Sequence, residues 1–364
     1  ACSNGAGHAV APKESEQIAI YHENPKIGAG QLVGMWASFA LLAIACGGVP
    51  SMGLVIPVAA IPQRPRPAIQ RLAANVLPFA DARVLTEPDP DIACVLCDSE
   101  AKAFSALRSH GLGRVEGKFS VDLGKRQVDG FTVSEDGVLF PDSAEGTGGD
   151  PPPADLTWDD LAHIGKKGGA WRCYWGASGY EPSKVDGFSE LTGRAASLYP
   201  VEGSPPTVVL GGFGMHRFAG SASPAMDTKL KLRALGHKLR GRVLDVCTGL
   251  GYTAIGAAEK EAVEIVATLE LDPLMVRIQD ANPWSAGLWG PKVERYLGDA
   301  VDLLPHIPAG SFDAICHDPP AQAMSGELFS QEVYAHFARI LTPSGALYHY
   351  IGDPDSRASG KLFR

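Results

Sequence analysis

The sequence has no charged residue between Lys26 and Arg64, although charged residues make up 20% of the chain. Cysteine is scarce and odd in number, seven in 364 residues. That argues against a disulfide scaffold and fits a reducing compartment. Cys94 and Cys97 form a CxxC pair with no second pair and no histidines at ligand spacing. They read as small core residues and not as a zinc site. Positive charge is also short: 32 Lys and Arg stand against 41 Asp and Glu, a net charge of -9. This disfavours a nucleic-acid binder held by bulk charge. Hydrophobic residues make up 45% of the chain, which supports a real core and excludes a wholly disordered protein. At ~100–200 residues per domain the length suggests two or three domains. The 42 Gly and 28 Pro predict many turns.

Within the uncharged span, Leu32 to Cys46 reads LVGMWASFALLAIAC. Gly47, Gly48 and Pro50 interrupt it, and a second apolar run follows from Met52 to Ile61. Extended back to Ile27, the first run reaches the ~20 residues of a bilayer-spanning helix. It lies too deep in the chain for a signal peptide. Residues 32–62 therefore read as a hydrophobic membrane segment, with a buried hairpin of core helices as the alternative. The polar extension over 1–31 is expected to lie against neighbouring subunits. Arg64, Arg66 and Arg71 follow the segment, against Lys13 and Lys26 before it. That bias places the downstream domains on the cytoplasmic, stromal or matrix side. The expected location is an organellar membrane, a plastid thylakoid ahead of a mitochondrial inner membrane. The expected partners are then the lipid bilayer and other subunits of a membrane complex.

Residues 63–225 read as a small α+β domain. Ile92–Cys97 is a short apolar run and a strand candidate; 99–109 looks helical and stops before Gly111. Phe119, Val121 and Leu123 alternate, as do Phe131 and Val133, in a meander pattern. Residues 142–155 form a linker by composition, and Thr157 caps a short helix with Asp159 and Asp160 in its first turn. Residues 227–240 predict a helix with Leu230, Leu232, Leu235 and Leu239 inward. Its Lys229, Lys231, Arg233, Lys238 and Arg240 read as a solvated basic face, with a patch for anionic lipid or RNA as the alternative.

The chemistry concentrates in residues 226–364. GRVLDVCTGLGYTAI over 241–255 is a short buried strand, a turn and a helix start. Gly249 and Gly251 permit the tight turn and let a ligand approach the backbone. Asp245 sits near the strand's end. The strand 265–269 ends at Glu270, about 20 residues after the glycines, where an acid can hold both hydroxyls of a ribose. Asp299 follows the strand 293–297 and can face an exocyclic amine such as that of adenine. The strand 312–316 runs into His317 and Asp318-Pro319-Pro320, and 346–351 is a fifth strand. Strand and helix alternate throughout, which predicts an α/β Rossmann-like doubly wound sheet. A dehydrogenase is disfavoured, because Ala254 stands where GxGxxG wants its last glycine.

Here the chain resembles the class I S-adenosylmethionine-dependent methyltransferases. LDVCTGLG is similar to their first motif, Glu270 to their ribose acid, Gly298-Asp299 to their adenine motif and Asp318-Pro319-Pro320 to their fourth motif. FGMHR (213–217), Asn282-Pro-Trp-Ser285, SFDAICHDPP and LYHYIGDP together resemble a predicted methyltransferase family of archaea, with related proteins in bacteria and plants, itself similar to spermidine synthases. The resemblance covers about residues 90–364 and is strong from 206 onward. It implies S-adenosylmethionine as cofactor, bound through Asp245, Gly249, Gly251, Glu270 and Asp299, and catalysis by Asp318 with His317 beside it. Ala321 replaces the aromatic that stacks on a flipped base in amino-methyltransferases, which puts base methylation in doubt.

Three functions follow as expectations. The first is a membrane-anchored methyltransferase for a small amine or a protein side chain. The second is a non-catalytic subunit of an organellar complex, such as a photosystem or respiratory assembly, built on this fold. The third is an aminopropyltransferase-like enzyme. One structural expectation is sharper. The resemblance implies two more strands after the fifth, and only 13 residues follow Ile351. The fifth strand's outer edge should therefore be covered by the N-terminal segment or by another subunit.

Overall fold

A computed structural model describes residues 53–57, 77–84, 86, 89–141, 154–218, 222–320 and 322–350. The first strand, β1 (Gly53–Pro57), comes from the second apolar run. Within the expected membrane segment 32–62, residues 53–57 are instead a strand of a sheet. The stretch Leu32–Cys46 lies outside the described residues, as does the extension 1–31. Among the described residues no helix is long and apolar enough to cross a membrane.

The upstream half begins with β2 (Ile92–Leu96) and α1 (Asp98–Ala106). Glu100 starts α1 by accepting the Cys97 backbone N–H at 3.0 Å, so Cys97 sits at the cap. Next come β3 (Gly113–Val121), β4 (Arg126–Val133), β5 (Gly137–Leu139) and β6 (Leu156–Thr157), which form one antiparallel sheet in chain order. Thr157 caps α2 (Trp158–Lys167), with Asp160 closing the capping box. β7 (Trp171–Tyr174) pairs with β2 and with β8 (Ser183–Lys184). Cys94 stands opposite Cys173 in that ladder, and both are buried free thiols. A third sheet joins β9 (Asp186–Ser189), β10 (Arg194–Val201), β11 (Ser204–Leu210) and β12 (Phe213–Gly214).

The C-terminal half opens with α3 (Pro224–Leu235), capped by Ser223 and started by Pro224. Then follow β13 (Gly241–Val246), α4 (Tyr252–Ala258), β14 (Val263–Glu270), α5 (Pro273–Ala281), β15 (Val293–Leu297), α6 (Ala300–Leu303), β16 (Phe312–His317), α7 (Gln322–Ser325), α8 (Gln331–Ile340) and β17 (Leu341–Tyr350). The sheet order is β1-β17-β16-β13-β14-β15, parallel throughout except for β1. Side chains alternate between its two faces. Leu244, Val246, Ile315 and Leu347 face Val333, Phe337 and Ile340 of α8. Val243, Ala314, Cys316 and Tyr348 face α3 and α4. A further cluster joins the halves: Leu198 and Val208 pack with Tyr252, Leu274 and Ile278.

Both sheet edges are covered by upstream chain. β1 pairs antiparallel along β17, from Gly53 opposite Tyr350 to Pro57 opposite Ala346. The expected cover for the fifth strand is thus the chain's own N-terminal segment. At the other edge, Val84 N–H donates to Arg295 O at 2.8 Å and Arg83 bridges to Tyr296. Leu77 is buried in the core on the α8 face. Residues 77–86 therefore pack on the C-terminal sheet and not only within a separate unit over 63–225. Deleting residues 53–57 should strip β17 of one side of its ladder. Hydrogen–deuterium exchange should then accelerate at the β17 amides that face β1, each left to water or unmet at ~1–3 kcal/mol if buried. Unchanged exchange over 346–350 would show that the pairing is not a feature of the folded protein.

Candidate functional site

The switch point of the parallel sheet lies between β13 and β16, where the strand order reverses; in open sheets of this kind the ligand crevice lies outside the strand ends at that point. Asp245, near the end of β13, is buried beneath it. Its Oδ1 accepts from Thr253 Oγ1 at 2.7 Å and its Oδ2 from Thr268 Oγ1 at 2.6 Å. Burial pushes its pKa from the ordinary 3.8 up to about 7, against the pull of the two hydroxyls. Both oxygens are engaged, so Asp245 holds the turn from below.

That turn is tightly constrained. Cys247, Gly249 and Gly251 have φ of 71°, 53° and 79°. A left-handed cysteine is a strained position. A Cβ on Gly251 would come within 2.6 Å of the Leu288 side chain, and one on Gly249 within 2.8 Å of Met215 Cε. The carbonyls of the turn are held from α5 and the loop after it. Gln279 Nε2 donates to Gly249 O at 2.7 Å and Ser285 Oγ to Leu250 O at 2.8 Å. Asn282 Nδ2 donates to Ser285 Oγ at 2.8 Å and to Tyr252 Oη at 3.1 Å. The Asn282–Ser285 string therefore supports the glycine turn.

Glu270 ends β14 facing this turn. Its Oε2 accepts from Gly249 N–H at 2.9 Å, and its Oε1 accepts from Leu271 and Asp272 N–H at 3.0 Å each. Burial again raises the pKa, from 4.5 to about 7, while the backbone donors oppose it. Asp272 turns away to cap α5, accepting from Leu274 N–H at 2.8 Å. On the next strand, Gly298 N–H donates to Glu270 O at 2.7 Å. That bond sets Asp299 beside Glu270 at the strand ends. Asp299 Oδ1 caps α6 by accepting from Val301 N–H at 2.8 Å, which leaves Oδ2 without a hydrogen bond among the described residues.

Asp318 follows β16, with its N–H on Val246 O at 3.2 Å. Its Oδ2 accepts from Lys231 Nζ at 2.6 Å, and Lys231 also reaches Asp227 at 2.6 Å. Burial raises the Asp318 pKa, and Lys231 pulls it back. Lys231 is a correction to the sequence reading, which placed it on a solvated face. Its side chain is only 5% exposed. The spacing held a signal: Lys231 lies four residues after Asp227 and four before the inward Leu235.

His317 is a second correction. It is fully buried and points to the opposite face of the sheet from Asp318, because neighbours on a strand alternate. Its Nε2 lies 3.1 Å from Leu328 O, and its ring centre is 4.5 Å from that of His349, tilted, and 4.9 Å from that of Phe337, edge-on. Burial lowers its pKa to about 4. It is a core residue under α8 and does not join Asp318 in the crevice. Ala321 lies outside the described residues.

The sequence motif FGMHR supplies a wall that spacing alone did not assign. Met215 closes over Gly249. Thr207 Oγ1 accepts His216 N–H at 3.1 Å and lies 3.0 Å from His216 Nδ1. The His216 ring lies 5.3 Å from Tyr252. Arg217 stands beside Tyr350. Among the described residues no group of three or more His, Cys, Asp or Glu is set to hold a metal ion.

No protein-family model matches the chain. An uncharacterized protein of Methanocaldococcus jannaschii is 39% identical over 157 residues, 43% of this chain and 54% of that protein. Polyamine aminopropyltransferase 2 of Streptomyces coelicolor is 31% identical over 151 residues, 40% of this chain and 27% of that protein. Spermidine synthase 2 of Datura stramonium is 30% identical over 113 residues, 29% of this chain and 34% of that protein. The chain thus spans about half, or less, of the length of these relatives. With the strand order above, these likenesses fit a class I S-adenosylmethionine-dependent methyltransferase fold related to that of the spermidine synthases.

The two raised carboxyls make a testable signature. A group whose folded pKa exceeds its unfolded value contributes stability below the unfolded pKa and loses it as pH rises through the folded one. Asp245 rises from 3.8 to about 7 and Glu270 from 4.5 to about 7, so their contribution should fade between about pH 4 and pH 7. Asp245→Asn, which never charges, should gain Tm relative to the wild type as pH is raised from about 5 to about 8. A Tm difference that does not move with pH would count against the buried, charge-averse Asp245.

Proposed function

We propose that the protein transfers an alkyl group, in the first reading a methyl group, from an S-adenosylmethionine-type cofactor to an amine nitrogen. The observation that carries this reading is the placement of Glu270, Asp299 and Asp318 at the ends of three parallel strands around one glycine turn. The cradle fits the cofactor. Gly249 and Gly251 leave no room for side chains, so backbone comes close to whatever lies in the crevice. Glu270 would hold the ribose hydroxyls of the cofactor. Asp299 would take the adenine amine.

When bound, the cofactor would supply an electrophilic carbon on a sulfonium sulfur that can leave as a neutral thioether. Asp318 Oδ1 accepts the proton that the amine gives up, while Lys231 on Oδ2 fixes the carboxylate's orientation. Aminopropyl transfer is the second reading. It is supported by two relatives whose names state aminopropyl transfer or spermidine synthesis, and it would use decarboxylated S-adenosylmethionine in the same cradle.

Titration calorimetry with S-adenosylhomocysteine tests the cofactor half. Glu270→Ala should weaken binding by ~1–3 kcal/mol through lost buried hydrogen bonds. Asp318→Asn should keep that binding and lose transfer. Absence of S-adenosylhomocysteine binding to the folded wild type would remove the reading.

A further inference from the structure

In this structure the carboxylates best placed to receive a substrate ammonium already hold one. Lys231 Nζ lies 2.6 Å from Asp227 Oδ2 and 2.6 Å from Asp318 Oδ2, with its side chain 5% exposed. The ammonium is also 5.3 Å from the centre of the Tyr350 ring. A second ammonium arriving at this corner would meet a fixed like charge in a poorly solvated place, and like charges set against each other select against a partner.

The adjoining wall offers positive charge. A pocket of about 380 Å³ is lined by Gly214, His216, Arg217, Phe218 and Ala222. His216 is neutral there, since burial and the nearby Lys231 lower its pKa to about 4. Arg217 is then the charged group among the described lining residues. Burial raises the Tyr350 phenol, and Arg217 and Lys231 beside it pull the other way. Arg217, Tyr350, Lys231 and Asp318 therefore form one chain of neighbours from the pocket to the proposed base. Met215, two residues before Arg217, reaches the glycine turn. Residues 213–218 thus reach from the pocket's lining to the glycine turn.

We propose that the acceptor is an amine that also carries an anionic group, that Arg217 holds this group, and that α,ω-diamines are rejected because Lys231 occupies their cation subsite. This rests on the amine-alkylation reading above. A guanidinium beside an aromatic wall suits a carboxylate or phosphate by paired hydrogen bonds. Lys231 leaves Asp318 Oδ1 for one nitrogen only.

γ-Aminobutyrate and putrescine separate the two charge patterns at similar length. Wild-type protein saturated with S-adenosylhomocysteine is titrated calorimetrically with each. Binding of γ-aminobutyrate should be tighter by about tenfold or more. Arg217→Ala should erase the preference, and Lys231→Met should shift it toward putrescine, with circular dichroism checking that both variants fold. If Lys231→Met does not fold, the wild type and Arg217→Ala decide alone. Putrescine binding as tight as or tighter than γ-aminobutyrate, or no detectable γ-aminobutyrate binding, overturns the proposal. Failure of S-adenosylhomocysteine itself to bind shows in the first titration and counts against the cofactor reading. The acceptor titrations then run on the ligand-free protein and still decide the charge preference.

Discussion

The ammonium of Lys231 lies between the carboxylates of Asp227 and Asp318, and the crevice end of the sheet is built around it. Breaking a buried ion pair by removing one partner costs ~3–5 kcal/mol, because an uncompensated charge remains. That cost pins α3 against the end of β16. The rotation of α3 is set independently by Leu232 and Leu235, which enter the core facing β13 and α4. Position 231 then falls at the margin of the apolar stripe, where a lysine stem is buried and its head reaches polar partners. Packing and charge therefore specify the same helix orientation.

The glycine turn adds a second constraint of a different kind. Two carboxyls with pKa near 7, Asp245 and Glu270, sit close to a left-handed cysteine. None of these features favours folding taken singly. They persist because the turn is over-determined: Asp245 and Thr268 hold it from below, Gln279 and Ser285 from the side, and Leu288 fills the space a Gly251 side chain would need. Strain and raised carboxyl pKa values gathered in one crevice are what a prepared binding site shows. A nucleoside ribose would bring hydroxyl donors to a carboxylate that in the free protein is partly desolvated.

Much of this was legible in the sequence, and the limits are physical. Strands 293–297 and 312–316, the Thr157 cap and the Glu270 strand end were readable because period and capping chemistry are local. The parallel order followed from alternation of strands and helices. His317 was misplaced because adjacency to Asp318 in sequence means opposite faces on a strand. Lys231 was missed because five basic residues on one helix read as a solvated face, and only the third dimension shows that Asp318 comes to meet it. Residues 53–57 looked like part of a membrane segment, since a short apolar run has no period that separates a buried strand from a helix. The cover they give β17 depends on long-range pairing that no local pattern encodes.

The division of labour between the halves follows from these contacts. The acids that would hold a cofactor and take a proton all stand on the C-terminal sheet. The walls that meet them come from upstream: Met215 over Gly249, His216 against Tyr252, and Arg217 beside Tyr350. Upstream backbone also anchors the site's supports, with Tyr252 Oη donating to Pro206 O at 2.9 Å and Trp284 Nε1 to Leu123 O at 3.2 Å. Chemistry placed at strand ends is fixed by the sheet, whereas a wall built from a loop can change without disturbing it. On the proposed reading, selectivity for the acceptor would reside in residues 213–218 and the α3 lysine they adjoin. Two proteins sharing the strand-end acids but differing in that loop would share a cofactor and differ in substrate.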